Sequence, residues 1–167
     1  SAVPMIVFAP LRDPVEAINS HLRRAGHAVH CTWIPALGDL GDALTQLNPE
    51  MLICQPQADG ELSAVAAVRN QLAPQVPLIA LLEAADETAI AGAIAVGARD
   101  AVTLARPDRL RAVIERELRS FRLERALSTT LQSARDYRKQ LETVLQRSND
   151  AIAQVQEGIV VGANASW

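Results

Sequence analysis

Short apolar runs and amphipathic segments alternate along the first hundred residues of the chain. Continuous apolar runs predict buried strands, whereas apolar residues three and four positions apart predict helices. Glycine or proline closes most of the segments. The predicted strands are residues 5–9, 27–34, 51–54, 77–82 and 101–104, and the predicted helices between them are residues 14–25, 37–47, 61–72 and 86–96. This order predicts an α/β fold, a doubly wound five-stranded parallel sheet with helices on both faces.

The helical pattern continues beyond residue 107, because neither glycine nor proline occurs between Asp108 and Gly158. We therefore divide the chain into an α/β core at 1–107, a long helix at 108–147 and a further segment at 148–167. A helix of roughly 60 Å is too long to pack wholly on such a core. It carries a 3-4 spacing typical of a left-handed coiled coil. The seam residues are Ser120, Leu123, Leu127, Thr130, Ala134, Tyr137, Leu141 and Val144. We expect a homodimer, formed through this helix, through the core or through both.

The last segment has a different pattern. Ala151–Val155 and Ile159–Val161 are predicted to be two strands of a hairpin, with a turn at residues 156–158. Two strands alone are marginally stable in water, so we expect the natural chain to continue into a further domain.

Composition narrows the class of function. Apolar residues make up 49% and charged residues 21% of the chain, as in ordinary globular proteins. The chain has only five aromatic residues and a net charge of −3. A nucleic-acid-binding surface needs aromatic side chains for base stacking and positive charge, so this class of function is disfavoured. Cys31 and Cys54 lie in apolar runs without metal or redox spacing, which predicts free thiols in a reducing compartment. No apolar run approaches the ~20 residues of a membrane span, so we expect a cytoplasmic protein without membrane insertion.

Active sites of doubly wound sheets lie at the carboxyl ends of the strands, so catalytic or binding residues are expected where the predicted strands end. No carboxylate cluster occurs at these ends, and no glycine-rich turn follows the first strand. The sequence therefore predicts no bound metal, no cofactor and no dinucleotide or P-loop phosphate site.

Over residues 3–120 the chain resembles the receiver domain of two-component response regulators, which has the flavodoxin- or CheY-like fold. The order and lengths of the units carry the resemblance, with Gly97-Ala98 before the last strand and Pro77 before the fourth. It implies an acidic pair that binds Mg²⁺, an aspartate that accepts phosphate, a Thr or Ser, and a Lys. The matching positions hold Ala9, Pro10, Gln55, Leu82 and Leu104. Gln55 cannot form an acyl phosphate, and Ala9 and Pro10 offer no metal ligand. We expect a non-catalytic pseudo-receiver, not an enzyme.

A second resemblance begins near Leu141. The chain here is similar to the opening of a PAS sensor domain, and the resemblance rests on Asp150-Ala151-Ile152, Glu157-Gly158 and Ala163-Asn164. The order of receiver, helix and PAS resembles FimX-type cyclic-di-GMP regulators of type IV pili and motility, in which GGDEF and EAL domains follow. It implies a regulatory and dimerisation module of a bacterial multidomain signalling protein that binds protein partners.

Three alternatives stay open. A degenerate receiver with a coiled coil is also the arrangement of a nucleic-acid-binding transcription or antitermination regulator, which would bind in a salt-dependent way. A displaced phosphorylation site would use Asp59 as acceptor and Asp13 as metal ligand, although a turn and a helix N-cap explain these residues more simply. The arginine-rich stretch 106–125 fits a solvated helix face, a phosphate-binding surface or ion pairs between subunits.

Overall fold

A computed structural model describes residues 1–156 and shows a five-stranded, all-parallel sheet with the strand order β2-β1-β3-β4-β5. The elements are β1 Val3–Phe8, α1 Asp13–Arg24, β2 Val29–Ile34, α2 Leu37–Gln46, β3 Met51–Cys54, α3 Glu61–Leu72, β4 Leu78–Leu81, α4 Glu87–Ala95, β5 Asp100–Val102 and α5 Pro107–Gln156. This confirms the predicted fold class. The chain divides into two compact units, Ser1–Arg122 and a second unit that begins at Leu123, and each is described by itself.

The core of the first unit lies in two layers, because successive side chains of a strand point to opposite faces of the sheet. Met5 and Val7 of β1 join the layer that contains buried residues of α1 and α5, whereas Ile6 and Phe8 join the layer of α2, α3 and α4. The central strands are buried on both faces. Their sequences are therefore continuously apolar rather than alternating, which is why they could be predicted.

Two helix ends show how the sequence sets the element bounds. The Asp86 carboxylate caps α4 by accepting a hydrogen bond from the Ala89 N–H at 2.8 Å. Gly26 follows α1 with a φ of +89°, a conformation that favours glycine. The prediction that Asp13 is an N-cap was wrong, because the helix already begins at Asp13 and Arg12 occupies the N-cap position.

Helix α5 is longer than predicted. It continues past Arg147 to Gln156, so Ala151–Val155, predicted as a strand, is helical. The physical reason is that no residue between Pro107 and Gly158 breaks the helix, and the Ser148-Asn149-Asp150 sequence does not stop it. The predicted second strand, Ile159–Val161, lies outside the described residues.

Candidate functional site

The residues that match the functional positions of a receiver domain in the sequence lie at the carboxyl edge of the sheet. Ala9 directly follows β1, Gln55 directly follows β3, and Leu82 directly follows β4. Leu104 lies two residues after the end of β5. Because β1, β3, β4 and β5 are neighbours in one parallel sheet, these four positions lie along one edge.

Main-chain hydrogen bonds fix this edge. The Gln55 N–H donates to the Phe8 carbonyl at 2.8 Å, and the Ala9 N–H donates to the Ile34 carbonyl at 3.2 Å. The Trp33 indole N–H donates to the Ala9 carbonyl at 2.9 Å. Position 9, where a receiver has an acidic side chain, is thus fully buried and its carbonyl is occupied.

The side chains at this edge are mostly apolar. Leu82 and Leu104 are partly buried and pack against the two core layers, and Gln55 is half-buried. Within residues 1–156, no three His, Cys, Asp or Glu side chains are grouped so that they could hold a metal ion. A neutral amide supplies no nucleophile for phosphorus, and a single amide oxygen flanked by alkyl groups, without a carboxylate beside it, does not make a site for a divalent cation.

Sequence reasoning missed a buried threonine at the same edge. The Thr103 hydroxyl donates to the Glu83 carbonyl at 3.0 Å and accepts from the Ala105 N–H at 3.3 Å. One side chain thus connects the loop after β4 with the loop after β5. These are the two loops that carry Leu82 and Leu104, so Thr103 holds them in a single arrangement.

A second feature that sequence reasoning missed is an ion-pair cluster around Asp100, which we call the Asp100 cluster. The two carboxylate oxygens of Asp100 accept from Arg109 at 3.0 Å and from Arg116 at 2.8 Å. The buried Glu117 carboxylate pairs with Arg116 and with Arg99, each at 3.3 Å. Burial raises the pKa of Asp100, but the hydrogen bonds from Arg116, the Ala101 N–H and Arg109 outweigh it and hold that pKa below its usual value.

These contacts account for much of the arginine-rich stretch 106–125. Besides Arg109 and Arg116, Arg122 donates to both oxygens of the buried Glu50 carboxylate, at 2.9 and 3.4 Å. Arg111 lies 3.9 Å from Glu115. At least four of the seven arginines in this stretch therefore pair within their own chain while their side chains stay partly exposed to solvent.

Neither thiol is activated. Burial, followed by the nearby Glu61 carboxylate, raises the pKa of Cys54 to about 12. Burial raises the pKa of Cys31 to about 11, although the Arg23 charge acts in the opposite direction. Both cysteines are free, and the thiolate that a nucleophile or metal ligand requires is suppressed in each.

The large apolar side chains described in the second unit are exposed. Leu123, Leu127, Tyr137, Leu141 and Val144 of the predicted seam leave between 46% and 68% of their surface accessible in the single chain. Ala134 is also exposed. No helix among residues 1–156 is both long and apolar enough to cross a membrane.

Comparison with known proteins gives the fold a name. A receiver-domain protein of the CheY type from Methanospirillum hungatei superposes with a TM-score of 0.59, covering 74% of this chain and 99% of that chain at 13% identity. A response regulator from Thermotoga maritima gives a TM-score of 0.60, covering 71% and 98% at 15% identity. The fold is that of a receiver domain. NtrX from Brucella abortus, solved with ADP, superposes with a TM-score of 0.65 at 21% identity, covering 78% of this chain and 29% of that chain.

The likeness to these receiver domains is one of structure only. No family model matches the chain, and no curated protein matches it. At identities of 13–21% the receiver fold is shared, whereas the chemistry must be argued from the residues at the sheet edge.

Proposed function

We propose that this chain is a non-catalytic pseudo-receiver, a regulatory module whose sheet edge cannot be phosphorylated in the way of a response regulator. One observation carries the proposal: Ala9, Pro10, Gln55, Leu82 and Leu104 occupy the positions at which the receiver resemblance calls for charged or hydroxyl side chains. The neutral edge, the Thr103 bridge between its loops and the suppressed thiols support it.

The proposed module also dimerises through α5. Its second unit presents large apolar side chains to solvent along a single helix, and an isolated helix gains most of its stability from a partner that covers such a face. A second copy of the chain is the partner that we propose.

The sequence resemblances also imply a biological setting for the module. We place the module in a bacterial multidomain signalling protein in which a PAS domain follows the helix, with cyclic-di-GMP regulation of type IV pili or motility as its context. Two free thiols with raised pKa values fit a reducing, cytoplasmic location.

Beryllofluoride with Mg²⁺ tests the absence of phosphorylation, because it mimics a phosphoryl group on an aspartate. Trp33 is a built-in reporter, since its indole N–H bonds to Ala9 at the edge. In a Trp167→Phe background, we expect no saturable change in Trp33 fluorescence and no change in melting temperature. A saturable response would overturn the proposal.

Matched variants test which of the missing side chains prevents phosphorylation. Gln55→Asp alone should not accept phosphate from a small-molecule donor, because the metal ligands remain absent. Gln55→Asp combined with Ala9→Asp and Pro10→Asp should restore more Mg²⁺ binding than Gln55→Asp alone, measured by calorimetry. Phosphorylation of the single variant would contradict the argument from the missing metal.

The alternative of a nucleic-acid-binding regulator has weaker support. Arg109, Arg116 and Arg122 are engaged with carboxylates of their own chain, which lowers the positive potential available to phosphates. Fluorescence anisotropy with short DNA and RNA duplexes at two salt concentrations separates the readings. Binding that weakens steeply with salt would favour the alternative.

A further inference from the structure

The exposed apolar residues of α5 follow a longer repeat than the heptad. Leu123-Glu124 and Leu127 recur as Leu141-Glu142 and Leu145, a shift of 18 residues. The hydroxyl side chain of Thr130 recurs as Ser148, and the apolar Ala134 recurs as Ile152. Eighteen residues make about five turns of a helix with 3.6 residues per turn, so residues related by this repeat lie on the same line along a straight helix.

A single uncharged stripe results, which we call the straight stripe. With about 100° per residue, nine positions fall within about 40° of the line through Leu123. They are Leu123, Leu127, Thr130, Ala134, Tyr137, Leu141, Leu145, Ser148 and Ile152. Their spacing contains one 4-4 step, at Tyr137, Leu141 and Leu145, where a continuous heptad would place Val144.

Exposure in the chain agrees with this path. Leu145 and Ile152 are 55% and 52% exposed and therefore available to a partner, and Val144 is 56% exposed, so the two paths differ in exposure only near their ends. After Val144 the continuous heptad passes through Ser148, which both paths share, to Ala151, which is already buried and not available in the same way. Val144 itself lies about 60° from the line through Leu123, and Ala151 about 80°.

Resting on the proposed dimer, we infer that a second copy of this chain packs in parallel along the straight stripe, in contact with Leu145 and Ile152 rather than with Val144. Strict heptads wind left-handed supercoils, whereas a repeat at 3.6 residues per turn leaves the two helices nearly straight. The contact extends about 43 Å, from Leu123 to Ile152.

Charge at the flanks favours the parallel orientation. Glu124, Arg138 and Glu142 lie on one flank of the straight stripe, whereas Ala126, Ser133 and Gln140 lie on the other. In a parallel pair, the charged flank of one copy faces the uncharged flank of the other. An antiparallel pair with full overlap would bring the Arg138 side chains of both copies together near its centre, where the like charges repel although each Arg138 also pairs with Glu142 of its own helix at 3.3 Å.

The size of the contact predicts its strength. A strip about 43 Å long and about 10 Å wide covers on the order of 400 Å² on each copy, which is about half the area of a standard interface. We therefore expect a dimer that dissociates on dilution, so equilibrium constants can be measured directly by sedimentation.

Disulfide trapping tests the path in the chain of residues 1–167 with Cys31→Ser and Cys54→Ala. Single cysteines are introduced by Leu127→Cys, Val144→Cys, Leu145→Cys and Ile152→Cys, with Lys139→Cys on the opposite face as the negative control. We expect Leu145→Cys and Ile152→Cys to cross-link as fast as Leu127→Cys under mild oxidation. Val144→Cys should be several-fold slower.

Truncation provides a second readout that does not depend on cross-linking geometry. Leu145→Ala should raise the dissociation constant of the dimer at least about tenfold, because a buried leucine is lost from each copy, whereas Val144→Ala should change it far less. Faster cross-linking at Val144 together with the larger effect of Val144→Ala would overturn the straight stripe and leave the proposed dimer standing. A monomer at all concentrations would overturn both.

Discussion

Neutralising Asp100 should cost the first unit much of its stability in a manner that depends on pH. In Asp100→Asn the amide oxygen can still accept from Ala101, but the amide nitrogen replaces an oxygen that accepts from Arg116 at 2.8 Å. In the variant, the new amide N–H group and the Arg116 N–H group are both donors, so the hydrogen bond between positions 100 and 116 is lost. The Asp100 side chain is only 11% exposed, so water compensates little. Hydrogen bonds to charged groups contribute about 1.5–3 kcal/mol each, and we expect a loss of about 2 kcal/mol at pH 7, since both arginines are partly exposed and screened.

The sign of the pH dependence follows from the lowered pKa of Asp100 in the folded state. A carboxylate with a depressed pKa contributes stability above its unfolded pKa of about 3.9, and this contribution is lost as the pH falls through the folded value. The difference in unfolding free energy between the wild type and Asp100→Asn should therefore be constant from neutral pH to about pH 5 and shrink below about pH 4.

Urea unfolding followed by circular dichroism, at several pH values, measures this difference. Asp136→Asn is the matched control, because Asp136 is exposed on α5 and accepts from Gln132 of the same helix. It should leave the unfolding free energy unchanged within about 0.5 kcal/mol. Equal stability of wild type and Asp100→Asn at pH 7, or a gap at pH 3 as large as the gap at pH 7, would refute the assigned role of the Asp100 cluster.

Two further predictions concern the sheet edge. Thr103→Val keeps the side-chain shape but removes the hydroxyl between Glu83 and Ala105, so we expect a loss of about 1–2 kcal/mol in unfolding free energy and faster amide hydrogen exchange at Ala105. Thr129→Val on the exposed face of α5 is the control, and equal exchange rates in both variants would contradict the bridging role. The thiol of Cys54, with its pKa raised to about 12, should resist iodoacetamide at pH 8 in the folded protein and react readily in urea, as followed by mass spectrometry. Rapid labelling of native Cys54 would show that the edge opens more than the structure indicates.

The sequence predicted the fold well where burial alone decides the structure. The strand Met51–Cys54 is buried along its whole length, and all four of its residues are apolar. A continuous apolar run of this length predicts a buried strand from the sequence alone. The edge positions Ala9, Gln55 and Leu82 could be placed by counting from such strands, since each directly follows one.

Other features depend on contacts that a linear pattern does not carry. Asp100 is the first residue of β5, one position before the predicted strand at 101–104, and the local sequence gives no sign that Arg109 and Arg116 would approach it from α5. The segment at Ala151–Val155 is mostly apolar, as a short strand often is, yet the absence of a helix-breaking residue upstream lets α5 continue through it. The structure of this segment was therefore set by the uninterrupted helix before it and not by its local apolar composition.

The neutral edge at Ala9 and Gln55 has a consequence for how information could enter the module. A ligand shifts a conformational equilibrium only by its difference in affinity for the two states. In the proposed pseudo-receiver, neither a phosphoryl group nor a metal ion supplies such a difference at this edge. Assembly of copies remains as an input, and it responds to how many copies share a volume. A protein built in this way would register its own local concentration, so its crowding at one place in the cell would serve as the signal.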